Sequence, residues 1–283
     1  MKSGDKMSES LIIDRVPVEG SYPSGGVVEV WTINRPGKLN ALNSDVFSDL
    51  KAACKDAEND ADVRVVVIRG ASPEPVAEGE RQKPPAFVAG ADITEFIGKN
   101  SKEIRPIFEN NAWEAIWNLS KPTIASIDGF ALGGGSEIAL SCDLRVASTR
   151  SNFGTPEINL GLIPGGGATQ RLARLLGYGK AIEMVMTGEM VSATEAYRIG
   201  LVNRLCEPEE LQHTTMQLAT TLATKSPLTI KSAKEAVRGA LERGMAEGLE
   251  HERDLFCALF DTEDMEIGVN AFVNRENPEW KGL

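Results

Sequence analysis

An α/β layered fold is predicted for this chain of 283 residues by two features of its sequence. Stretches rich in β-branched residues alternate with stretches whose apolar residues recur at helical spacing, and glycine-rich turns stand where strands give way to helices. Hydrophobic residues make up 42% of the chain, enough to fill a substantial core, so disorder is not expected.

The first strands read at residues 26–34 (GVVEVWTIN) and 63–70 (VRVVVIRG). Between them Asn43 or Ser44 can cap a helix in which Val46, Phe47, Leu50, Ala53, Cys54 and Ala57 share one face. Residues 71–85 (ASPEPVAEGERQKPP) carry four prolines among mixed charges, cannot build a core, and are expected to form a mobile surface loop. After it come a helix around 103–119, a strand at 123–129, a helix following the glycines at 133–135, and a strand at 143–147. The last part differs: 208–224, 228–243 and 245–260 are helix-like, a shorter helix follows near 263–274, and no convincing strand appears. Pro208 and its acidic neighbours can start a helix. The expected division is therefore an α/β core over 1–206 and a helical region over 207–283.

Acidic residues exceed basic ones by 41 to 30, and the net charge of −11 argues against a nucleic-acid surface or a general attraction to anionic membranes. An anionic ligand is still compatible, because a few lysines or a helix N-terminus can hold phosphates on an acidic protein. Cys54, Cys142, Cys206 and Cys257 lie far apart with no metal-ligand spacing and read as reduced thiols. His213 and His251 are the only histidines, which disfavours zinc sites and histidine-dependent triads; no metal is expected. The polar N-terminus has no signal-like apolar core, no run approaches the ~20 residues that span a bilayer, and a cytoplasmic protein is expected.

Three segments can carry chemistry. Residues 87–96 (FVAGADITEF) end an apolar strand in a small-residue turn, where a ligand can approach backbone N–H groups; a plain strand-to-helix turn needs the same residues. Residues 127–143 (IDGFALGGGSEIALSCD) bring three glycines to the start of a helix, where unpaired N–H groups at Gly134 and its neighbours can face a developing negative oxygen. Close backbone packing would use the same glycines, and Glu137 could serve either catalysis or the helix dipole. The phosphate-loop pattern is absent, and Ser136 lacks both the second flanking glycine of a nucleophile elbow and an evident histidine base. In residues 152–172 (NFGTPEINLGLIPGGGATQRL), Pro156 and Ile158 flank Glu157 in an apolar stretch. Desolvation there favours the neutral acid and makes Glu157 a proton donor, although a lone carboxylate could equally form a salt bridge.

Taken together and in order, these segments resemble the crotonase, or enoyl-CoA hydratase, superfamily, as do 33–42 (INRPGKLNAL), 186–188 (MTG), 193–203 (ATEAYRIGLVN) and 262–282. The resemblance implies a spiral of β-β-α turns with C-terminal helices that assemble trimers, often paired into hexamers. It implies an acyl-CoA thioester substrate, no separate cofactor, and reversible syn addition of water to a short-chain trans-2-enoyl-CoA, or the reverse dehydration, as in fatty-acid metabolism. Ala91 and Gly134 match the positions whose N–H groups bind the thioester carbonyl. Glu137 matches the water-binding base and Glu157 the acid that protonates the α-carbon, while the Gly165 backbone would floor the water site. Ala89, Asp92, Ile93 and Thr94 fall in the substrate-binding turn. Pro85 and Thr94 stand where many relatives have lysines, so Lys38, Arg81 and Lys83 are the substitutes expected for the phosphate contact. Within this fold an isomerase, hydrolase or decarboxylase is the alternative, but many isomerases keep only a glutamate like Glu157. A non-catalytic RNA-binding relative is disfavoured by the charge and by the paired carboxylates. The long 71–85 loop is expected to be a flap near the substrate entrance.

Overall fold

A computed structural model describes residues 9–18, 26–75, 77, 79 and 81–283. The chain begins with β1 (Leu11–Pro17), β2 (Val27–Ile33), α1 (Ser44–Asn59), β3 (Val63–Gly70) and β4 (Ala86–Val88). Then follow α2 (Ser101–Ile104), α3 (Ala112–Asn118), β5 (Thr123–Ile127), β6 (Phe130–Leu132), α4 (Gly134–Ser141), β7 (Leu144–Ser148) and β8 (Asn152–Gly154). After α5 (Ala168–Leu176), α6 (Tyr178–Thr187), β9 (Val191–Ser192), α7 (Ala193–Arg198) and β10 (Arg204–Cys206), the remainder is helical: α8 (Leu211–Ala223), α9 (Pro227–Gly239), α10 (Met245–Ala258) and α11 (Glu263–Asn274).

The strands form two sheets, one ordered β1-β2-β3-β5-β7-β10 and one ordered β4-β6-β8-β9. Successive turns of the chain place one strand in the large sheet, one in the small sheet, and then a helix: β3, β4 and α3; β5, β6 and α4; β7, β8 and α5. Neighbouring turns pair in parallel, as in Ile124 opposite Leu144 and Phe130 opposite Asn152. This repetition generates the expected spiral.

The apolar face read for α1 is the one it buries: Val46, Leu50, Ala53, Cys54 and Ala57 enter the main core, and the Asn43 side chain accepts from Val46 N at 3.2 Å as its cap. The helix expected around 103–119 is broken. Pro106 sits in a 3₁₀ turn, Asn110 takes φ 50°, and Asn111 caps a fresh helix by accepting from Glu114 N at 2.8 Å. Strand β1, which pairs antiparallel with β2, and the short strands β6 and β8 lie outside the strands expected from sequence.

Helix α8 packs Leu211, Leu218, Ala219 and Ala223 over the outer face of the large sheet, against Val28, Val65 and Ile124. Helix α9 is fastened to the end of α4: Lys234 Nζ and Arg238 Nη2 reach the Asp143 carboxylate at 2.7 and 2.6 Å. By contrast, α10 buries none of its residues, and Phe256, Phe260 and Phe272 are 62%, 57% and 86% exposed. Of the predicted 71–85 loop, positions 76, 78 and 80 lie outside the described residues; the described part contains no helix or strand. No helix among the described residues is long and apolar enough to cross a membrane.

Candidate active site

Two backbone segments meet at the centre of the site. Leu42 and Ala91 form an isolated parallel bridge in which Leu42 makes both bonds: its N–H donates to Gly90 O at 2.9 Å and its carbonyl accepts from Asp92 N at 2.7 Å. The N–H of Ala91 therefore points away from Leu42. Opposite stands Gly134, the first residue of α4, whose N–H helix geometry leaves without an intrahelical acceptor. A Cβ placed on Gly134 would lie 3.4 Å from Ala91 N, so the two donors are neighbours. The Gly134 carbonyl is held from behind by Trp113 Nε1, which donates to it at 3.1 Å.

All eight residues of α4 are buried, and Glu137, one turn in, is 2% exposed. Its Oε1 accepts from Gly166 N at 2.7 Å and from Ala168 N at 3.1 Å, so one carboxylate oxygen is fixed by the glycine turn that opens α5. Gly166 must be glycine for space: a Cβ there would come within 2.4 Å of the Trp113 ring and 2.7 Å of Glu137 Oε2. Burial raises the proton affinity of Glu137 first, and the Glu157 charge adds to it. The Ala168 and Gly166 N–H groups and Arg171 oppose the rise, and the outcome is a pKa lifted from 4.5 to about 7. The group is thus poised near neutrality, where a general base works best.

Glu157 lies in a 3₁₀ turn, Pro156–Leu160, that follows β8. Burial raises its pKa as well, and its Oε2 is buried with no side-chain or backbone partner among the described residues. Gly133, at φ 51° and ψ −124°, lets the chain pass beneath this carboxyl, since a Cβ there would be 3.0 Å from Glu157 Oε1. Two carboxyl groups of raised pKa thus flank a pair of inward N–H donors.

The other predicted positions are half-buried or exposed. Ala89 and Gly90 are half-buried beside the donor turn, with Ala89 N donating to Leu39 O at 3.1 Å. Asp92 is engaged by Thr94 Oγ1 at 2.7 Å and Arg35 Nη2 at 3.1 Å, contacts that hold its carboxyl below the usual range and brace the turn. Ile93 is 51% exposed, and Thr94 and Gly165 are exposed. Lys38 is exposed next to Gly37, whose carbonyl accepts from Lys83 Nζ at 2.5 Å, so Lys83 reaches the 36–38 turn. Arg81 is exposed.

Sequence reasoning missed Asn40, Trp113 and Arg171. Asn40 is 1% exposed, donates to Ala71 O and Ala86 O at 2.9 and 2.8 Å, and accepts from Arg35 N at 3.0 Å, tying the segment before α1 to β4. Its positive φ of 57° is one that asparagine tolerates. Trp113 donates its indole N–H to the carbonyl of Gly134, the residue whose own N–H neighbours that of Ala91.

Known proteins resemble this chain in sequence and in fold. The sequence model of the family described as enoyl-CoA hydratase/isomerase matches residues 24–283. The chain belongs to the enoyl-CoA hydratase/isomerase family. Among its relatives in this family is the short-chain-enoyl-CoA hydratase of Clostridium acetobutylicum, 41% identical over 256 residues, covering 90% of this chain and 94% of that protein. The crotonyl-CoA hydratase of Syntrophomonas wolfei is 36% identical, covering 87% and 91%. A solved enoyl-CoA hydratase subunit of Geobacillus kaustophilus superposes with a TM-score of 0.85 at 38% identity, covering 98% of this chain and 100% of its own. The enoyl-CoA hydratase of Bacillus anthracis gives 0.86 at 31% identity, covering 97% and 100%. The α/β architecture described above is therefore the crotonase-type fold, and the enzyme is a hydro-lyase.

Proposed function

We propose that this enoyl-CoA hydratase adds water reversibly, in syn fashion, across the double bond of short-chain trans-2-enoyl-CoA thioesters, with Glu137 and Glu157 as its acid–base pair. The observation that carries the assignment is the fixed geometry of Glu137. Two backbone N–H groups hold its Oε1, which leaves Oε2 to accept a proton from a water molecule, and its pKa of about 7 keeps a large basic fraction at neutral pH. Glu157, whose burial favours the protonated form, is suited to deliver a proton.

In the forward direction the thioester oxygen accepts from Ala91 N–H and Gly134 N–H, which draws electrons from the β-carbon. The water oxygen bonds to the β-carbon while its proton passes to Glu137, and negative charge collects on the thioester oxygen as an enolate. The α-carbon then takes the proton of Glu157. Solvent exchange restores the starting protonation of the two carboxyls, which share the water and titrate as a pair. Loss of one such oxyanion donor costs ~3 kcal/mol of transition-state stabilisation, so two can carry much of the rate enhancement. The chemistry calls for no separate cofactor, because the coenzyme A portion is a handle whose binding orients the acyl group.

Lys38, Lys83 and Arg81 would be the cations available to a phosphate of that handle, and Ala89, Asp92, Ile93, Thr94 and Gly165 would line the thioester. The exposed Phe256, Phe260 and Phe272 support assembly into trimers, alone or paired, through the helical region 207–283. Four unpaired cysteines fit a reducing, cytoplasmic setting. The test is hydration of crotonyl-CoA, followed by loss of the enoyl-thioester absorbance and by chromatography of the 3-hydroxyacyl product, then repeated with longer thioesters. Formation of only a shifted double bond, with no hydroxy product, would overturn the reading in favour of an isomerase.

A further inference from the structure

Helix α5 carries a half-buried guanidinium with no carboxylate partner in salt-bridge range among the described residues, directly behind the turn that grips Glu137. Arg171 Nη1 donates to Gly166 O at 2.8 Å, and the Gly166 N–H in turn donates to Glu137 Oε1. The intervening Gly167 takes φ 109°, and a Cβ on it would lie 2.3 Å from Arg171 Nη1, so the guanidinium is seated against the backbone of this turn. On its other side Arg171 lies over the Trp117 ring, 4.8 Å from the centroid, while Arg238 lies 3.9 Å from that centroid and is anchored on Asp143. Desolvating a guanidinium without a carboxylate partner is costly, and the ring and the Gly166 carbonyl compensate in part.

We infer that Arg171 is a positioning residue for hydration: it clamps the 165–168 turn so that two N–H groups face Glu137 Oε1, and its positive field favours the carboxylate form of Glu137. The inference rests on Glu137 being the base. A lysine or a neutral side chain cannot reproduce both parts, because the bond to Gly166 O needs reach and direction while the field needs only charge. Charged and titratable groups from several elements face this cation. Burial depresses its affinity for the proton, Glu137 raises it, Arg238 from α9 lowers it, and Glu114 from α3 and Cys142 raise it. From the other side, Glu137 is faced by Glu157, which disfavours its charge, and by Arg171, which favours it. Removing Arg171 therefore leaves burial and Glu157 opposed only by two N–H groups that are themselves less well held.

The experiment compares R171M and R171K with the parent over a pH series, using crotonyl-CoA and the full-length protein. R174M serves as a control: Arg174 sits nearly one turn further along α5, is exposed, and bonds Leu241 O and Gln170 O at 3.1 and 3.2 Å. In R171M the acidic limb of kcat/KM is expected to move up by about one pH unit, with kcat at neutral pH at least about tenfold lower and KM within about threefold. R171K is expected to return the limb to the parent position while kcat stays reduced, and R174M to keep the parent profile. A merely structural role would lower the amount of folded enzyme without moving the limb. Should R171M not fold, R171Q takes its place. A folded R171M or R171Q with the parent limb and kcat overturns the inference, and a limb displaced equally in R171K overturns its electrostatic part. The variant E137Q separates the two levels. Activity in E137Q refutes the base assignment itself, whereas an inactive E137Q with a parent-like R171M refutes the role of Arg171 alone.

Discussion

Glu137→Gln keeps the side-chain shape and removes the charge, and its consequences for turnover and for stability run in opposite directions. The folded protein holds the Glu137 proton more tightly than an unfolded chain does, with a pKa of about 7 against 4.5. The stability contributed by this group is therefore fully present below about pH 4.5 and is lost as pH rises through about 7. Above neutrality the buried charge costs roughly 3 kcal/mol, the free-energy equivalent of that difference. The glutamine variant carries no such charge, and its amide oxygen can still accept from Gly166 and Ala168. It should unfold at higher urea concentration than the parent at about pH 8, by up to roughly 3 kcal/mol, and the gap should close as pH approaches about 4.5. Over the same series its crotonyl-CoA turnover should fall by ~10²–10⁴-fold, with thioester affinity within a few-fold of the parent. A stability difference that does not change with pH, or parent-like turnover, would refute the reasoning.

Three further outcomes follow from the same geometry. Glu157→Gln should lose hydration by ~10²–10⁴-fold while a calorimetric titration still registers thioester binding; unchanged turnover would remove Glu157 from the acid–base pair. Trp113→Phe deletes the donor to the Gly134 carbonyl, so kcat should fall several-fold and stability by about 1 kcal/mol, and a parent-like kcat would detach Trp113 from the oxyanion arrangement. Light scattering at assay concentration should give a trimer or hexamer, each interface burying more than ~1,000 Å². An active particle of 30.5 kDa would rule that assembly out.

The sequence made the repeating architecture and the chemical segments legible for different reasons. Val46, Leu50, Ala53, Cys54 and Ala57 announce α1 because a buried helix face imposes its period, and Asn43 marks where the helix begins. Strands β6 and β8 are three residues each, too short for any period to register, and they are specified by pairing with strands of neighbouring turns. The break between α2 and α3 was written in Pro106 and in the Asn110-Asn111 pair, but the helical spacing on either side masked it. At the site, the glycines and the two glutamates stood out by residue type. The wiring behind them did not. The bonds from Trp113 to Gly134 and from Gly166 to Glu137 span 21 and 29 residues, and nothing local distinguishes a tryptophan that donates such a bond from one that only fills space.

The burial of α4 has a consequence for how this protein can change over generations. Every residue of that helix is in the interior, and the Gly135 backbone approaches Val88 so closely that a Cβ would lie 2.0 Å from the Val88 carbonyl oxygen. The helix that presents Glu137 and the Gly134 N–H is thus also a central packing element: selection for folding alone would keep the backbone that places both groups, whereas the Glu137 carboxylate, costly to bury above neutral pH, is kept only by selection for the reaction. The exposed apolar residues that follow Glu157 and the 89–94 turn in the chain are under no such constraint: Leu160, Leu162, Ile163 and Ile97 are 56%, 47%, 68% and 80% exposed, so substitutions there leave the interior untouched. Change at these surface positions is therefore cheap in stability, whereas moving the Gly134 N–H or the point from which residue 137 projects requires rebuilding the core.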